Sequence, residues 1–88
     1  MFYIDSYIKM PGGIPRLCQS GNKYRKYSSA LSAALLMLAE NIHSKEIHLM
    51  YNGTLLRSWE MQNNKWVDTY QNHRYIEELQ FELAMRLK

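Results

Sequence analysis

The sequence predicts an α+β domain: an antiparallel sheet of four to five strands with two helices, in the order β-β-(β)-α-β-β-β-α. Three observations predict it. Residues 2–10 alternate apolar and polar side chains, as a half-buried strand does. Asn52-Gly53 separates two further alternating runs, and no dipeptide favours a two-residue hairpin turn more strongly. Residues 29–42 and 73–87 place apolar side chains at helical spacing.

The elements follow in order. Phe2, Ile4, Ser6, Ile8 and Met10 share one face of the first strand, with Tyr3, Asp5, Tyr7 and Lys9 on the other. Pro11-Gly12-Gly13-Ile14-Pro15 breaks it, because the prolines remove donors and the glycines permit unusual dihedrals. A second extended stretch, Arg16 to Gln19, leads to a turn signal at Ser20-Gly21-Asn22. Lys23 to Tyr27 reads as a further strand or as the approach to a helix.

Ser28 and Ser29 are candidate N-caps for that helix, expected over Ser29 to Ile42. Leu31, Leu35, Leu38 and Ile42 form its stripe, widened by Ala30, Ala34 and Met37. So little of it is polar that it is expected to be almost wrapped by the rest of the fold. Leu35 and Leu38 are then core residues.

After Ser44 the period changes to two. Glu46 to Tyr51 and Thr54 to Met61 form a hairpin in which Tyr51 faces Thr54, Leu49 faces Leu56 and Ile47 faces Ser58. This register leaves Glu46, His48, Met50, Leu55, Arg57 and Trp59 on the outer face. A second tight turn at Asn63-Asn64 pairs Met61 with Trp66 and completes a meander to about Val67. The last helix, His73 to Leu87, has Ile76, Leu79, Leu83 and Leu87 as its core stripe, with Phe81 and Met85 off that stripe.

With 88 residues there is room for one small domain, 1–88, and hydrophobic residues at 47% exclude global disorder. The single cysteine, Cys18, has no internal disulfide partner, which favours a reducing compartment. The start of the chain lacks the pattern of a signal peptide, and the longest apolar run, residues 33–39, is far short of a membrane span. A cytoplasmic protein with no membrane partner is expected.

Chemistry finds little support. His43, His48, His73 and Cys18 lack the paired spacing of zinc ligands, so no metal or cofactor is expected. Cys18, His48 and Asp68 have the residue types of a catalytic trio but no local signature. Gly12-Gly13 lacks the Gly-Lys-Ser/Thr of a phosphate-binding loop. No catalytic residue is assigned, and no enzyme is expected.

Binding surfaces are better supported. The net charge of +3 is concentrated between Arg16 and Lys26. There Lys23-Tyr24-Arg25-Lys26-Tyr27 interleaves cations, which neutralise phosphates, with rings that stack on bases. The bland reading is a solvated strand edge whose lysines discourage aggregation. Arg57, Trp59 and Trp66 on the outer hairpin face, and Phe81 with Met85 on the last helix, are candidate protein contacts, since Trp and Arg often anchor interfaces. The competing reading covers the hairpin face with the last helix.

In size, single-domain layout and lack of catalytic motifs the chain is similar to small accessory proteins of phages and mobile elements. The expected function is a non-enzymatic protein-binding module, an inhibitor or adaptor acting on a larger complex. The alternative is a nucleic-acid-binding accessory protein using residues 16–27. A homodimer is compatible with either.

Overall fold

The computed structural model describes residues 1–9, 12–13, 15–40 and 44–86, with residue 9 and residues 15–21 described as backbone. Among these residues the order is β1 (Phe2–Lys9), β2 (Pro15–Tyr24), α1 (Tyr27–Glu40), β3 (Glu46–Tyr51), β4 (Thr54–Gln62), β5 (Lys65–Gln71) and α2 (His73–Arg86). The strands form one sheet in the order β2-β1-β3-β4-β5, and every neighbouring pair is antiparallel. The predicted α+β class is the observed one.

The first two strands differ from expectation where a turn was predicted. Ser20-Gly21-Asn22 does not turn the chain; β2 runs through it as a single strand of ten residues. Register breaks between Tyr3 and Asp5 and between Ser6 and Tyr7 absorb the misfit with β1. β1 ends at Lys9 and β2 starts at Pro15, with Gly12 and Gly13 between them at positive φ; Pro11 and Ile14 lie outside the described residues. Both outer strands, β2 and β5, thus pair irregularly with their inner neighbours, since β5 has its own break opposite Ser58 and Trp59. Irregular edges pair poorly with other chains.

Both Asn-containing turns form as predicted. Asn52 and Gly53 lie at φ 47 and 85, and Asn63 and Asn64 at 50 and 64, the left-handed values a two-residue hairpin turn requires. Met61 sits opposite Trp66 and Tyr51 opposite Thr54. The Tyr3 hydroxyl accepts from the Gly53 amide at 3.2 Å and ties the first turn to β1.

The β3–β4 register is a correction. A bulge beside Met50 and Leu49 lets Leu56 enter as an extra residue, so Leu49 faces Arg57 and Ile47 faces Trp59. Every later residue of β4 therefore changes face. Arg57 and Trp59 join Phe2, Ile4, Ile47 and Leu49 on the inner face, and Ser58 moves outward. The fully buried Leu56 stays inside, as a bulge residue can.

Both helices pack on that inner face. Tyr27, Ala30 and Ala34 of α1 and Ile76 and Leu79 of α2 share one core with Phe2, Ile4, Ile47, Leu49, Leu56 and Trp59. The Tyr27 ring meets the edge of Phe2 with centroids 6.0 Å apart. Residue Asn72 starts α2: its side-chain oxygen accepts from the Tyr75 amide at 3.3 Å and its carbonyl from Ile76 at 3.0 Å.

Helix α1 is not wrapped. It begins at Tyr27, with the Ala30 amide bonded to the Lys26 carbonyl, so Ser28 and Ser29 lie in the first turn rather than at the cap. It approaches the sheet through its alanines, because only small side chains allow a helix so close. That choice turns the helix and leaves Leu35 49% and Leu36 58% exposed. Leu31, Met37 and Leu38 are half-buried at the margin. Ile42 and His43, and Leu87 at the end of α2, lie outside the described residues.

Candidate binding surface

The rotation of α1 and the bulge in β4 redistribute the predicted binding residues. Lys23, Arg25 and Lys26 are exposed. Tyr24, opposite Phe2, is half-buried against the core, and Tyr27 is 9% exposed within it. The basic-aromatic segment therefore splits by chemistry, with cations outward and rings inward. Tyr27 cannot offer a face for a base to stack on. Arg16 lies in β2 opposite Ile8, with its side chain outside the description, as is that of Cys18.

The outer hairpin face loses its predicted anchors. Trp59 is 4% exposed, and Trp66 is half-buried against the core. Arg57 reaches across the inner face: its Nη2 donates to Asp68 Oδ2 at 2.6 Å and its guanidinium lies 4.8 Å from the Trp59 ring centroid. Burial pulls the guanidinium down, but hydrogen bonds to Asp68 and Tyr27 outweigh it and hold Arg57 above its ordinary pKa. Arg57 Nε is buried with no hydrogen-bond partner among the described residues. This arginine joins β4, β5 and α1 from inside.

On the open side of the sheet lies a polar cluster. His48 Nε2 is 2.6 Å from Glu46 Oε1, and the Tyr7 and His48 rings have centroids 4.6 Å apart. Burial first, then the charges of Asp5 and Glu46 and a contribution from Tyr3, push the Tyr7 phenol above its ordinary value. A Glu–His pair can move protons. Among the described residues no group of three or more His, Cys, Asp or Glu comes together as metal ligands do.

The helices carry the apolar surface. Phe81 is 68% and Met85 56% exposed, one turn apart on α2, where the sequence placed them. Leu35, expected in the core stripe, and Leu36, on a helix expected to be almost wrapped, are instead surface residues. A signal was present: Ala30 and Ala34, four apart, mark a close-approach face that competes with the leucine stripe. Scattered exposed apolar residues are ordinary on a folded protein. Here the surroundings are unusual, because from Ser28 to Ala39 α1 has no charged side chain at all. Its exposed side is Ser28, Ser29, Ser32, Leu35, Leu36 and Ala39.

Beside this face an open groove of about 220 Å³ lies between the start of α1 and the C-terminal half of α2. Lys26, Tyr27, Ser28, Gln80, Leu83 and Ala84 line it. Among the described residues no helix is long and apolar enough to cross a membrane. Comparison with protein-family models, curated proteins and solved structures finds no match to the chain.

Proposed function

We propose that the protein is a non-enzymatic protein-binding module, an intracellular inhibitor or adaptor in the manner of small phage or mobile-element accessory proteins. Its contact surface is the two-helix layer rather than the outer sheet. One observation carries this reading: an exposed helix face without charge that presents Leu35 and Leu36 to solvent. A helix that only faced water would gain solubility from charged residues there, and buried apolar contacts are what associate proteins.

A second reading keeps the nucleic-acid alternative, supported by the exposed Lys23, Arg25 and Lys26. It rests on phosphate contact alone, because the Tyr27 ring is turned into the core. Such binding would be strongly salt-dependent and indifferent to base identity.

Affinity capture from source lysate, with and without nuclease, separates the two. Leu35→Glu/Leu36→Glu should abolish capture of a specific protein that nuclease treatment leaves in place. Lys23→Gln/Arg25→Gln/Lys26→Gln should slow that association without abolishing it. Capture that vanishes with nuclease and survives the leucine substitutions overturns the module reading.

A further inference from the structure

We infer that the groove between α1 and α2 is a docking slot for an acidic amphipathic helix of a partner protein. The inference rests on the module reading and names its partner chemistry. At about 220 Å³ the groove is below the ~300–1,000 Å³ of sites that enclose whole small molecules, and suits one large apolar side chain. Leu83 and Ala84 supply most of the apolar surface, with the small exposed remainder of Tyr27 beside them and Ser28, Gln80 and Lys26 as polar lining.

The apolar strip continues beyond the groove. At 100° per residue Leu35 lies about 20° from Ser28 around α1, and seven residues separate them by roughly 10 Å along the axis. That is the distance between positions i and i+7 on a partner helix, the usual spacing of anchors in groove recognition. One anchor enters the groove and the next rests on Leu35, which is half exposed.

Charge fixes the partner's polarity. Lys26 lines the groove and is exposed, as is its chain neighbour Arg25, and the first turn of α1 holds no acidic residue to offset its positive end. Lys23 adds to the field. On the α2 side the nearby charges are mixed, with Glu77 one turn before Gln80, Glu82 beside Leu83 and Arg86 one turn after it, so the positive side of the groove is its α1 end. Carboxylates flanking the first anchor would meet these cations. A nucleic acid strand would meet the same cations but leave the apolar groove empty and find no exposed Tyr27 ring.

The test uses a synthetic helical peptide of ~15 residues with two leucines seven apart and glutamates around the first. Binding is followed by fluorescence anisotropy and by amide shifts in the full chain. The peptide should bind and shift Tyr27, Ser28, Gln80 and Ala84. A glutamine version of the peptide, or Lys26→Glu in the protein, should weaken binding roughly tenfold or more. Ala84→Trp, at an exposed position, should fill the groove and abolish binding while leaving the denaturation midpoint in place. Failure of the peptide to bind, or binding indifferent to Ala84→Trp, overturns the proposal. So does an oligo-dT strand that shifts the same groove amides and displaces the peptide. If the peptide fails while Leu35→Glu/Leu36→Glu still abolishes protein capture, the groove assignment falls and the module reading stands.

Discussion

Arg57 packs its guanidinium on the ring of Trp59, 4.8 Å from the centroid, on the face of the sheet that both helices cover. The pair exists because Leu56 bulges out of the β3–β4 register and carries both residues inward. Asp68, opposite Trp59 on β5, holds the free end of the arginine. A cation on the covered face is tolerable only with such partners.

Arg57→Ala should cost roughly 1–3 kcal/mol, through lost packing on Trp59 as well as lost hydrogen bonds. Asp68→Ala should cost a similar amount, about 1–3 kcal/mol, because it leaves the guanidinium of Arg57, whose side chain is only 15% exposed, without its ion-pair partner. Urea denaturation of both single variants and the double variant should give a loss smaller than the sum. Strict additivity would mean that the ion pair contributes nothing.

Burial on α1 runs through alanine. Ala34→Leu should overpack the helix–sheet contact and cost about 1–3 kcal/mol. Leu36→Ala should change stability by less than about 0.5 kcal/mol, since its side chain is largely in water. Denaturation midpoints ordered the other way would place the leucine stripe against the sheet.

Gly53 sits at φ 85 with open space where a Cβ would stand. The penalty for Gly53→Val is therefore conformational, roughly 1–3 kcal/mol, with no steric clash added. Gly53→Asn should recover much of it, because Asn tolerates the left-handed region. Thermal melts of the two variants make the comparison, and equal melting temperatures would rule this account out.

Tyr7 has a raised pKa, so it stays protonated in the folded chain after its unfolded counterpart ionises. The unfolded state then binds fewer protons, and stability falls as pH rises from about 10 toward the folded value. Tyr7→Phe should remove that part of the alkaline loss and leave neutral-pH stability almost unchanged. Urea midpoints measured at neutral pH and above pH ~10 read it directly.

Local chemistry determined much of this protein before any tertiary contact was considered. Alternation from Phe2, the Asn52-Gly53 and Asn63-Asn64 turns, and the start of α2 after Asn72 all depend on dihedral preferences and periods within a few residues. The isolation of Phe81 and Met85 on α2 was legible for the same reason, since helical geometry alone separates them from Ile76 and Leu79. Tertiary structure decided which face each side chain took. The bulge at Leu56 has no residue-type signature, yet one extra residue in a period-two strand moves Arg57 and Trp59 from outside to inside. On α1 the alanine and leucine stripes overlap, and periodicity cannot rank them. The ranking came from how closely a helix can approach a sheet, which selected Ala30 and Ala34 for the core and left Leu35 and Leu36 facing water.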